Sequence, residues 1–173
     1  DTEGWKNIQD STSNVTGVSY ISASGGTEST SGNFKIHKFT GPGTFTVSSV
    51  GAGSPFSNTV DYLVVAGGGS GGADAGAGGG AGGLRASATT YSIGCNPAKP
   101  LVCGVSALPV SAQGYPITVG GGGTAPGPGN GAAGCAPHGA NGNNSIFSSI
   151  TSTAGGGGGG GVDNAPPAGG SVG

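Results

Sequence analysis

Residues Gly155 to Gly161 are seven consecutive glycines, and any fold for this chain must first account for them. Fixing each residue costs about 1–2 kcal/mol of backbone entropy, and a glycine buries no side chain to offset it. One solution is a flexible linker. The other is a bundle of polyproline-II-type helices (polyglycine II), with three residues per turn, about 3.1 Å rise and no internal hydrogen bonds. Without Cβ atoms such helices approach closely enough for N–H groups to reach carbonyls on neighbours, with Cα–H···O contacts in support. In this form the run extends roughly 22 Å, about the length of a β-strand.

The rest of the chain favours the bundle. A β-like string leads into glycine three times: Leu63-Val64-Val65-Ala66 before Gly67, Tyr115-Pro116-Ile117-Thr118-Val119 before Gly120, and Ser145 to Ile150, after Thr151 to Ala154, before Gly155. A linker needs no strand ahead of it. With 43 Gly and 11 Pro in 173 residues, the composition lies in the low-complexity range. Yet charged residues are only 7% and the net charge is −2, whereas disordered chains stay soluble through high charge. A weakly charged chain of this kind packs or aggregates.

Before the glycine tracts, Lys35 to Thr40 and Thr44 to Val47 flank Gly41-Pro42-Gly43 and read as a β-hairpin, with Ile36 and Lys38 on one face and His37 and Phe39 on the other. Val60 to Val65 reads as one central strand and Val18 to Ile21 as a weaker one, with Trp5 and Ile8 capping the core. No segment carries a helical period. The expected fold is all-β: a jelly-roll-like β-sandwich whose strands continue into a polyglycine II bundle, with essentially no α-helix. The composition shift divides it into a β region, 1–65, and a glycine-rich region, 66–173, packed on the same sheet.

Little chemistry is written into the sequence. Five Lys and Arg are scattered singly, so nothing neutralises a row of phosphates and nucleic acid is excluded as a partner. No apolar run of 18 residues and no leader is visible, so no membrane span is expected; the chain begins at Asp1, as a mature or truncated product does. Neither a Gly-x-Ser-x-Gly elbow nor a positioned carboxylate pair occurs, and Asp61 and Asp74 qualify for the latter only by default. Matches to Gly-x-Gly-x-x-Gly lack the following helix that a phosphate loop works through. The chain is therefore read as a non-enzyme without cofactor or metal. The sequons at Asn14 and Asn143 carry meaning only in a glycosylating host.

Cys95, Cys103 and Cys135 make an odd count, which allows at most one internal disulfide. Cys95 and Cys103 enclose a loop with two prolines and form the expected bridge, which implies an oxidising exterior. The alternatives are a zinc site recruiting Cys135 and His138, against which the spacing argues, and three unbridged thiols.

The strings Phe34 to Val47, Val60 to Gly69, Gly79 to Arg85, Tyr115 to Gly120 and Asn141 to Thr151 together resemble the glycine-rich domain of tail-fibre and adhesin-like proteins of bacteriophages, marine ones especially. The resemblance implies a virion-surface appendage, a homo-oligomer or a partner of other virion proteins, in which glycine helices form a rigid core and the loops bind a host glycan or outer-membrane protein. The cysteines and Pro-rich inserts depart from that pattern. Chemical variety is concentrated in the inserts 73–75, 84–109, 124–144 and 162–167, which makes Asp74, Arg85, Tyr91, Lys99, His138 and Asn141 the candidate receptor contacts. The competing reading is a cellular extracellular filament or matrix subunit that assembles through the same glycine packing.

Overall fold

The computed structural model describes residues 19–51, 58–87, 106–127 and 136–161. These residues contain no α-helix and form eleven strands, all paired antiparallel. These are β1 (Ser22–Ser24), β2 (Thr27–Ser31), β3 (Phe34–Lys38), β4 (Gly43–Ser49), β5 (Thr59–Val60), β6 (Leu63–Val65), β7 (Leu84–Ala86), β8 (Leu108–Pro109), β9 (Gly114–Thr118), β10 (Ser145–Phe147) and β11 (Ile150–Ser152). The main sheet has the order β1-β4-β9-β10-β11, and β2-β3, β5-β8 and β6-β7 form two-stranded ladders.

Two strand pairings differ from the sequence expectation. The segment around Gly41-Pro42-Gly43 does not close a hairpin, because both edges of β4 are occupied by β1 and β9. Instead β3 folds back on β2 through Gly32-Asn33, where Gly32 has φ 57°, the arrangement of a two-residue hairpin with glycine at its first turn position. A Glu28–Lys35 ion pair of 2.8 Å crosses this hairpin, and Lys35 holds the Glu28 carboxyl below the usual carboxylate range. The alternation is as expected, and the structure settles its direction: His37 packs edge-on against Phe45 at 5.1 Å between centroids, while Ile36 is exposed.

The string Val60 to Val65 is also not one central strand. It breaks at Asp61-Tyr62, so that β5 pairs with β8 and β6 with β7. Ser87 fixes the break: its Oγ accepts the Tyr62 N–H at 3.0 Å and donates to Asp61 Oδ1 at 2.6 Å, while its own N–H donates to the Tyr62 carbonyl. Trp5, Ile8 and Val18 lie outside the described residues.

The core combines Phe45 and Val47 from β4 with Val64, Val110, Tyr115 and Phe147. Phe147 meets Phe45 edge to face at 6.0 Å and Tyr115 at 6.3 Å, contacts worth about 0.5–1.5 kcal/mol each beyond their buried area. Residues on both sides of the composition shift thus build one core.

Candidate functional site: a glycine lattice and its two ends

Five extended glycine-rich segments are continuous with strands. Segment I (66–73) leaves β6, segment III (120–124) leaves β9, and segment V (154–161) leaves β11; segment II (77–83) enters β7, and segment IV (136–143) enters β10. The departures from β6 and β9 match the strand-into-glycine couplings of the sequence; the third differs, because the string Ser145 to Ile150 turns back at Ser148, at φ 54°, into the β10–β11 hairpin, and segment V leaves β11. The two arrivals carry the same coupling in reverse.

The segments are joined at every third residue. N–H groups of Ala66, Gly69 and Gly72 donate to Gly83, Gly80 and Ala77 of segment II, and those of Gly67, Ser70 and Ala73 donate to Asn143, Ala140 and Pro137 of segment IV. Gly155, Gly158 and Gly161 of segment V donate to the Gly67, Ser70 and Ala73 carbonyls, and Gly123 of segment III donates to Gly68. Ala77, Gly80 and Gly83 donate to Gly159, Gly156 and Thr153, and Ala136, Gly139 and Gly142 donate to Gly161, Gly158 and Gly155. A donor repeat of three residues is that of polyproline II, so this is a polyglycine II lattice. Gly155, Gly158 and Gly161 are buried at the same period.

Glycine is required here for close approach. Among the described glycines only Gly25, Gly26 and Gly32 have positive φ, and none of them is in the lattice. A Cβ on Gly158 would overlap the Ala77 carbonyl, one on Gly69 the Gly156 carbonyl, and one on Gly160 the Ala136 carbonyl.

At the outer edge of segment V, side chains replace the missing neighbour. His138 Nδ1 accepts the Gly160 N–H at 3.0 Å, Asn141 Oδ1 accepts the Gly157 N–H at 2.7 Å, and Asn144 Oδ1 accepts the Ala154 N–H at 2.8 Å. These acceptors lie three residues apart, in step with the lattice. The His138 contact requires the tautomer with its proton on Nε2. Ser70 performs a similar service inside, donating to the Thr124 carbonyl at 2.7 Å and accepting the Ala140 N–H at 2.9 Å. The receptor reading of His138 and Asn141 missed this role; its signal was the spacing 138, 141, 144.

The candidate contacts do not gather at one point. Asp74 is exposed at the far end of the lattice, at φ 54° in a turn closed by Gly76 N–H to Ala73 O at 3.0 Å. His138 lies near the same end, and Asn141 one turn nearer the sheet. Arg85 lies at the opposite end, on β7 across from Val64, with Nη1 3.4 Å from the Leu84 carbonyl; segment II separates it from Asp74 by roughly 20 Å. Tyr91, Lys99 and all three cysteines, Cys95 and Cys103 included, lie outside the described residues. No group of three or more His, Cys, Asp or Glu that could hold a metal occurs among the described residues, and none of their helices is long and apolar enough to cross a membrane.

A family model described as Glycine-rich domain matches residues 40–173. The chain belongs to the glycine-rich domain family. The match begins just ahead of β4 and takes in all five lattice segments, so the glycine-rich domain comprises both the aromatic core and the lattice. No curated protein and no solved structure matches the chain at a comparable level.

Proposed function

We propose that this glycine-rich domain is a structural and adhesive module of a virion surface, part of a phage tail fibre or capsid appendage, that carries host-contacting loops on a rigid scaffold. The observation that carries the reading is the polarity of the lattice. The turn 73–76 stands with Ala136 and Gly161 at the end remote from the sheet, while Ser87 lies at the sheet end. A rigid base lowers the ordering cost of contact by the loops it carries.

In this reading the contact is made by Asp74 at the far end and by the sequence that joins segments III and IV. The test exchanges residues 128–135 for a Gly-Ser link of equal length and, separately, replaces Asp74 with Gly, which suits its positive φ. Particles that assemble normally and adsorb to the host less well support the reading. Particles that assemble and adsorb normally with both changes reduce this chain to a structural component.

A further inference from the structure

Among the described residues the lattice is open on one side, and the directions of its peptide groups show what that side lacks. In a trans peptide the C=O of one residue and the N–H of the next point in opposite directions. Around segment I, the N–H groups of 66, 69 and 72 point to segment II and the Gly68 carbonyl points the opposite way, to segment III. The N–H groups of 67, 70 and 73 point to segment IV, so the carbonyls of Ala66, Gly69 and Gly72 point away from it. The carbonyls of 67, 70 and 73 receive segment V, so the N–H groups of Gly68 and Gly71 point away from that. Segment I therefore has six neighbour directions, of which the described residues fill four. The remaining two lie side by side between segments II and III: one is faced by the N–H groups of Gly68 and Gly71, the other by the carbonyls of Ala66, Gly69 and Gly72, and none of these groups takes a partner among the described residues.

The side chains agree with the peptide groups. A Cβ on Gly71 would meet its nearest atom, the Ala77 carbonyl, at 3.5 Å, and one on Gly122 the Gly68 carbonyl at 3.5 Å; these are ordinary contacts, unlike the overlaps on the filled sides. Gly71, Gly121 and Gly122 are exposed. Below the open face, segment I continues into β6, whose Val64 is turned to the core while Leu63 and Val65 are 67% and 52% exposed. Their cross-strand partners Ala86 and Leu84 are also uncharged. Among the described residues the open lattice face and the exposed side chains of the β6–β7 ladder thus form one uncharged surface, with Asp61 at its outer end.

We propose that this surface receives a glycine-rich, polyproline-II segment of a second copy of the chain, which continues the lattice between molecules. Only a chain with period-three N–H and C=O groups and no intervening Cβ can enter either open direction, and this chain displays such segments on its own exterior: Gly78 of segment II meets no atom within 4 Å of its Cβ position. Beyond Asp61 at its outer end this surface offers no like charge to a second copy, and contiguous apolar surface of this kind marks association sites. The inference rests on the lattice and is independent of the adhesive reading.

Sedimentation of the full chain over a range of concentrations tests it, with amide exchange on the same samples. The expected result is reversible self-association that slows exchange at Gly68 and Gly71, and that Gly71→Val with Gly122→Val weakens at least tenfold while Gly155, Gly158 and Gly161 stay protected. Should that double variant fail to fold, Leu63→Lys with Val65→Lys places charge on the same surface outside the lattice and is expected to have the same effect. A chain that stays monomeric at every soluble concentration, or whose association ignores the folded variant, overturns the proposal.

Discussion

The aromatic core and the glycine lattice solve the same problem with opposite materials. Around Phe45, Tyr115 and Phe147, cohesion comes from side chains, and the backbone is held in ordinary ladders. In the lattice the side chains are withdrawn, and the backbone itself is both the packing surface and the hydrogen-bonding partner. A side-chain core tolerates volume-conserving exchange because rotamers can adjust. A backbone core has no rotamers, so its tolerance is set position by position by whether a Cβ has anywhere to go.

The largest expected effect follows from that contrast. Gly158→Val drives a side chain into the Ala77 carbonyl between buried segments and is expected to cost more than about 4 kcal/mol, seen as loss of the cooperative urea transition. Retention of the transition would mean that the segments slide past one another as a linker would. Asn141→Ala tests the edge, where a side chain stands in for a neighbour. Losing the acceptor for Gly157 N–H should cost about 1 kcal/mol and quicken exchange at Gly157 ahead of Gly158.

Ser152 tests the seam between the two regions. It is fully buried opposite Ser145, yet its Oγ has no partner among the described residues, whereas Ser145 Oγ accepts the Gly120 N–H. Ser152→Ala removes a desolvated hydroxyl and is expected to stabilise by about 1 kcal/mol, while Ser145→Ala destabilises by a similar amount; paired denaturation curves measure both. The smallest effect belongs to Gly78→Ala. With nothing near its Cβ and an alanine already at Ala81, one turn on, this change should stabilise by about 0.4–1 kcal/mol through the unfolded chain. Destabilisation there would show that even the rim of the lattice demands glycine.

The same contrast decides what could be read from the sequence. The couplings at Val65 and Thr118 were legible because β-branched strings abut glycine runs, whereas the turn inside Ser145 to Ile150 was not, because no Gly or Pro marks it. The reverse couplings into β7 and β10 were not, since Gly79 to Gly83 and Asn141 to Asn144 look like turn material ahead of a strand. Strand β2 was illegible for a different reason: Thr27 to Ser31 is exposed on both faces, so no apolar alternation announces it, and the nearby Gly41-Pro42-Gly43 offered a false turn. Of the candidate site, the position of Asp74 on a scaffold end followed from its place between glycine tracts. The roles of His138 and Asn141 did not, because a polar residue every third position signals nothing until the period of the lattice is known.

Unfolding the lattice exposes chiefly peptide groups, since its glycines bring almost no apolar surface out of water. Apolar exposure raises the heat capacity and polar exposure lowers it, and their balance in ordinary domains is about 12–15 cal/mol/K per residue. A molecule in which the bonded segments I to V take the place of a second side-chain core falls below that range. Its stability curve is correspondingly flat, so that a fold resting on backbone contacts loses little on cooling, where a fold resting on hydrophobic burial weakens.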